Sequence, residues 1–210
     1  MRSPVDTFLQ SLQDFFPATM VDDLIFHVQI LGAWITALWV IEILDQWIFR
    51  NALDQFGIRP RQESGLLGVL FAPMLHGGFQ HLSANTAPLL VLGWFVLFDG
   101  PRTFAIVTAV VWLVGGLGVW LLGRSRSIHI GVSGVIFGYL GYLLFRGYLV
   151  QSPGAIVLAV ISGLIYGGLI WGVLPLRRGS SWEGHLFGFL SGGLAAYYLD
   201  HIAVLIYPYV

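Results

Sequence analysis

The sequence predicts an all-α membrane protein: a six-transmembrane-helix bundle with a long, partly membrane-embedded first loop. Three observations predict it. Of 210 residues, 57% are hydrophobic and 10% charged, where a soluble domain carries about 25% charged residues, so a water-facing surface cannot be covered. Six apolar stretches each approach the length that crosses a hydrocarbon core of about 30 Å. Polar or Gly/Pro punctuation separates them. The net charge of −1, without basic runs, argues against nucleic acid as a partner. The absence of cysteine excludes disulfides, thiolate nucleophiles and Cys-based metal sites.

Taken in chain order, residues 1–26 lack the unbroken apolar core of a cleavable signal, because Arg2 is followed by Asp6, Asp14, Asp22 and Asp23. Phe8, Leu9, Leu12, Phe15 and Phe16 recur at helical spacing, which predicts a short amphipathic N-terminal segment on the membrane surface. A helical domain over 27–207 follows. Its spans are expected at about 27–49, 82–98, 103–122, 132–149, 155–173 and 185–206. Asp99-Gly100-Pro101-Arg102, Gly123-Arg124-Ser125-Arg126, Gln151-Ser152-Pro153-Gly154 and Pro175 to Ser180 end the second to fifth spans. Connections this short make successive helices antiparallel neighbours. The first connection is longer. Its polar part, Arg50 to Glu63, precedes an apolar part, Leu66 to Leu75, too short to span and so expected in the interface.

Strongly polar side chains within membrane spans are costly and mark function. Here they are not scattered. His81 and Asn85 open the second span, with His76 just before it; Ser133 opens the fourth and His185 the sixth. Alternating helices put these three starts at one membrane face. A Ser hydroxyl needs an adjacent base, and a neutral His supplies one. A His N–H, an Asn amide and the unpaired N–H groups of a helix start can stabilise an oxyanion. His81 and Asn85, four apart, share one helix face. Asp200 lies 15 residues past His185, about 22 Å along a helix, and Glu183 faces another way; the pattern reads as a Ser–His dyad. Gly134, Gly138 and Gly141, with Gly184, Gly188 and Gly192, place small residues where two membrane helices approach closely, a spacing that tight packing alone also explains.

These motifs resemble the rhomboid family of intramembrane serine proteases. The matching strings are His76-Gly-Gly-Phe-Gln-His81-Leu-Ser-Ala-Asn85, Gly131-Val-Ser133-Gly134 with Gly138, and Gly184-His185-Leu-Phe-Gly188 with Gly192. The resemblance implies a serine endopeptidase that cuts transmembrane segments of single-pass proteins through an acyl-enzyme. In it Ser133 is the nucleophile and His185 the base, while His81, Asn85 and the Ser133 backbone N–H form the oxyanion hole. His76, near the mouth, would support water access or that hole, Gly131 would support the site, and Phe137 would stack on the catalytic His. It implies a rhomboid-like fold, no cofactor, no metal, and the lipid bilayer with transmembrane protein substrates as partners. The family's Trp-Arg pair in the first loop is not evident; Gly57-Ile58-Arg59-Pro60-Arg61 stands there. A multi-pass protein of the bacterial cytoplasmic membrane, active site outward, is expected. That orientation places Arg50, Arg59, Arg61, Arg124, Arg126, Arg177 and Arg178 outside, against Arg2, Arg102 and Arg146 inside, the reverse of the positive-inside rule.

The alternative is a catalytically inactive relative that binds membrane helices as a scaffold. A metal site built from His76, His81, His129 and His185 lacks ligand spacing, since His76 and His81 are five apart. A transporter should show internal symmetry, and the GxSG string is not the GxSxG elbow of soluble hydrolases. His129 reads as a solvated loop residue, and His27 and His201 as helix-end residues satisfied by the interface. Glu42 and Asp45 read as partners for loop arginines, and Trp34, Trp39, Trp47, Trp94, Trp112, Trp120 and Trp171 as mostly lipid-facing or interfacial anchors.

Overall fold

A computed structural model describes residues 18–176 and 181–206; the amphipathic segment predicted at the N-terminus lies, up to residue 17, outside the described residues. Helix α1 (Ala18–Leu44) ends in a π turn, Asp45–Phe49. Two short helices, α2 (Glu63–Leu66) and α3 (Gly68–Phe71), precede α4 (Phe79–Leu97). Helix α5 (Pro101–Val110) continues through a π turn, Val111–Gly115, into α6 (Gly116–Leu122). Then come α7 (Ser133–Val150), α8 (Pro153–Tyr166) with a 3₁₀ continuation Gly167–Val173, and α9 (Trp182–Ile206). The fold is an all-helical membrane bundle; among the described residues the only extended pairing is one antiparallel bridge, Ile58 with His129.

Among the described residues, five helical rods are long and apolar enough to cross a membrane: Met20–Phe49, Pro101–Leu122, Ser133–Val150, Pro153–Val173 and Trp182–Ile206. The 19-residue α4 falls below that apolarity because Gln80, His81, Ser83, Asn85 and Thr86 crowd its first two turns. Helix α1 begins at Ala18, ahead of the expected residue 27.

Helix α7 is the axis of the bundle: 56% of its span is buried, against 6% for the rod containing α8. Leu82, Leu89, Leu92 and Val96 of α4, Val107 and Val111 beside α5, and Ala195, Ala196 and Leu199 of α9 close around Val135, Ile136, Tyr139, Leu140 and Leu143. Buried hydroxyls there are paired, as burial demands. Tyr139 bonds Thr108 at 2.6 Å and Tyr142 donates to Asp99 at 2.6 Å. Along α7 and α9 the backbones touch. A Cβ on Gly188 or Gly192 would collide with the carbonyl oxygen of Gly134 or Gly138, and one on Gly141 with that of Phe189.

The first connection folds against the π turn Val111–Gly115 and α6. Val69 and Ala72 are buried while Leu66, Leu67, Leu70 and Phe71 are exposed, the one-sided pattern of a segment lying along a membrane interface. Trp112 Nε1 donates to the Val69 carbonyl at 2.9 Å. Several tryptophans expected as lipid-facing or interfacial anchors also bond or stack within the protein. Trp39 donates to Thr86, Trp120 donates to the Gln62 carbonyl, and Trp34 stacks on Trp112 at 6.0 Å; indole N–H groups beside loop carbonyls are satisfied within the protein. Trp47 and Trp171 do face outward. His27 is buried, edge-on to Trp94 and Phe98, and not held by the interface.

Glu42 and Asp45 bond to neighbours other than loop arginines. Glu42 accepts from Gln46 at 3.0 Å and Asp45 from the Leu53 N–H at 2.9 Å, which closes the turn out of α1. Asp54 stands beside them with Oδ1 buried and unpartnered. Burial, then the negative charges of Asp45 and Glu42, push its carboxyl from 3.8 up to about 6. The folded state thus binds this proton more tightly than the unfolded chain, and Asp54's contribution to stability falls as pH rises from about 4 to about 6. Asp54→Asn is expected to raise the thermal midpoint near pH 8 and leave it unchanged near pH 3. A lower midpoint near pH 8 would show that the carboxylate is instead stabilising.

Candidate active site

The start of α7 is shaped by Gly131, whose φ of +111° suits only glycine. A side chain there would also meet His81 Cε1 at 2.9 Å, so this glycine lets the turn before Ser133 approach α4. The turn is tied down twice. Gly131 N–H donates to the Ala72 carbonyl at 2.8 Å, and Val132 N–H donates to His76 Nε2 at 3.3 Å. His76 is 1% exposed and lies behind the turn, not at the site's mouth as expected. Burial and then His81 push it down to about 3, so it is neutral and free to accept that N–H.

Ser133 follows as the first residue of α7 and half-buried His185 sits in the first turn of α9. The backbone contact of the two helices brings them together: His185 Nε2 is 3.1 Å from Ser133 Oγ. The ring's other nitrogen, Nδ1, is 3.0 Å from the carbonyl oxygen of Gly172. A carbonyl only accepts, so Nδ1 carries the proton and Nε2 presents its lone pair to the serine hydroxyl. This is the tautomer a general base requires. Phe137, one turn beyond Ser133, stacks flat on the imidazole with centroids 4.1 Å apart and planes 3° apart, fixing the ring's plane. The Gly172 carbonyl was invisible in the sequence, since a main-chain acceptor has no residue signature.

Ser133 and His185 open onto a cavity of about 640 Å³ that His81, Asn85, Phe137 and Trp171 also line. Asn85 is 8% exposed and its Nδ2 has no hydrogen-bond partner, an arrangement that costs stability unless something in the cavity accepts from it. The cavity lies between α4, α7 and the 3₁₀ segment 167–173 and is bordered by exposed Leu174 and Leu176. Glu183, two residues before His185, points away and pairs with Arg124 Nε at 2.7 Å. His129 is not a solvated loop residue: it is 5% exposed and bonded to Ser127 and Ser181, because the bridge to Ile58 draws it inward.

The family model for the rhomboid domain matches residues 63–201, from the membrane-interface segment through the whole of this site. The chain belongs to the rhomboid family. An uncharacterized protein of Mycobacterium bovis is 43% identical over 175 residues, covering 80% of this chain and 72% of its own. One from Mycobacterium leprae is 44% identical over 171 residues, or 78% and 67% of the two chains. YdcA of Bacillus subtilis, whose name carries the words rhomboid protease, is 26% identical over 130 residues, covering 59% and 62%. As a rhomboid-family bundle the chain is an integral, multi-pass membrane protein whose surroundings are the lipid bilayer.

Proposed function

We propose that this rhomboid-family protein is an intramembrane serine endopeptidase, whose protease domain takes in the helical bundle from α1 onward. The observation that carries the reading is the Ser133–His185 hydrogen bond in the base-competent tautomer, at the edge of a cavity bordered by exposed residues. Its substrates are transmembrane segments of single-pass membrane proteins, presented at the outer face of a bacterial cytoplasmic membrane.

In this mechanism the Ser133 hydroxyl passes its proton to His185 Nε2 as Oγ attacks the scissile carbonyl. The developing oxyanion accepts hydrogen bonds from His81, Asn85 Nδ2 and the Ser133 backbone N–H. Collapse breaks the peptide C–N bond as His185 returns the proton to the leaving amine, leaving an ester on Ser133. Water, deprotonated by His185, then attacks the ester. The second intermediate collapses to free the carboxylate product and regenerate the serine.

The deciding experiment is cleavage of a model single-pass substrate in proteoliposomes, with the products sized by mass spectrometry. Cleavage within the membrane segment is expected. A folded protein that cuts none of several helix-destabilised substrates would favour a helix-binding scaffold. His81→Ala and Asn85→Ala are each expected to lower kcat by about 10²–10³-fold if each supplies an oxyanion donor; unchanged rates in both would overturn that assignment.

A further inference from the structure

The loop between α6 and α7 carries a second histidine whose bonds have a definite direction. His129 Nε2 is 2.9 Å from Ser127 Oγ, and His129 Nδ1 is 2.6 Å from Ser181 Oγ. Ser127 donates its single hydroxyl proton to the Arg124 carbonyl at 2.6 Å, so toward the ring it accepts, and Nε2 must carry the ring proton. Burial lowers the pKa of His129, with Glu183 raising it and Arg124 lowering it further, so the ring is neutral near pH 7. Its Nδ1 lone pair therefore accepts from the Ser181 hydroxyl. The chain runs from Ser181 through His129 and Ser127 to the Arg124 carbonyl.

Ser181 immediately precedes α9, and its carbonyl accepts the His185 N–H at 3.2 Å. A serine in that place would ordinarily cap its own helix; here its hydroxyl is turned to another loop. A second tie lies beside it. Glu183, 2% exposed, accepts from Arg124 N at 3.3 Å and Arg124 Nε at 2.7 Å. The loop itself is anchored by His129 N and O, each paired with Ile58 at 2.9 Å. One loop thus ends in the nucleophile and grips the helix of the base at two points, on the side away from the Ser133–His185 bond.

We propose that His129 is a positioning residue for the reaction: through Ser181 it fixes the rotation and register of the first turn of α9, so that His185 Nε2 meets Ser133 Oγ. This rests on the protease reading above. A displacement near 1 Å at a reacting pair lowers rate by about 10²-fold, and the ordinary freedom of a helix's first turn is of that size.

The test is substrate cleavage, and labelling of Ser133 by a fluorophosphonate, in wild type, His129→Leu, His129→Gln, Ser181→Ala and Ser181→Thr, with thermal midpoints measured alongside. His129→Leu and Ser181→Ala are expected to lower kcat and the labelling rate by about 10–100-fold, with KM within about twofold. Ser181→Thr, which keeps the hydroxyl, and His129→Gln, which keeps one donor and one acceptor, should recover most of the rate. The His129→Leu/Ser181→Ala double variant should be no slower than either single one. A folded His129→Leu protein with unchanged kcat, a loss confined to KM, or a Ser181→Thr variant as slow as Ser181→Ala would each overturn the proposal while leaving the protease reading intact. A wild type that neither cleaves nor labels at Ser133 would overturn both.

Discussion

Ser133→Ala and His185→Ala are each expected to lower cleavage by about 10⁶-fold, and the double variant to be no slower than either one. In the proposed mechanism nucleophile and base act as a unit, so removing one leaves the other without a task. The residual rate above water is then what binding and the oxyanion donors supply, about 10³-fold. Structure should survive. Ser133→Ala removes one hydrogen bond, worth about 0.5–1.5 kcal/mol, and His185 keeps its contacts with Phe137 and the Gly172 carbonyl. Activity and thermal midpoint measured on the same preparations check this. A folded Ser133→Ala protein within about tenfold of wild type would mean another nucleophile and would remove the basis of the mechanism.

Gly192→Ala is the second large effect, and it acts without touching a reacting group. Its Cβ would overlap the Gly138 carbonyl oxygen and sit 2.8 Å from Tyr142 N. These are main-chain atoms that cannot rotate aside, so α7 and α9 must separate. Overpacking of this kind costs about 1–3 kcal/mol. The catalytic cost is larger, because the spacing of those helices sets the 3.1 Å contact of His185 with Ser133; a loss of about 10²-fold or more is expected. Gly163→Ala on α8 is the matched control, since its Cβ would find only Leu144 at 3.6 Å. Comparable activity in the two variants would show that the helix contact does not set the dyad.

What the chain disclosed beforehand was what hydrocarbon makes expensive. His81, Asn85, Ser133 and His185 stand out against apolar spans, and their positions at alternate helix starts put them at one level. The glycines at four-residue spacing likewise announced the α7–α9 contact, now seen as carbonyl-to-glycine packing. Loop chemistry was less legible. His129 looked solvated because nothing local in Ser127 to Ile130 indicates the bridge to Ile58 or the distant Ser181. Trp39, Trp112 and Trp120 looked like lipid-facing or interfacial anchors because their acceptors, Thr86, Val69 and Gln62, lie 43 to 58 residues away. His76 was found but misplaced: its role depends on a bond to the Val132 N–H, 56 residues distant.

The acceptor on His185 Nδ1 has an electrostatic consequence for a protein in this solvent. A carboxylate in the same place would bring a full negative charge that must stay ionised near hydrocarbon in every resting molecule, a standing penalty of several kcal/mol. The Gly172 carbonyl brings only a dipole. It holds the ring in the base-competent tautomer at little cost while the imidazole is neutral, and in the proposed mechanism it would steady the imidazolium for the brief interval in which that cation exists. It is also beyond the reach of point substitution, because any residue at 172 would supply the same oxygen. What residue 172 must leave is room for the ring, since a Cβ there would meet Phe137 at 2.8 Å and His185 Nδ1 at 3.2 Å. A partner drawn from the main chain therefore leaves no acidic residue for the sequence to reveal.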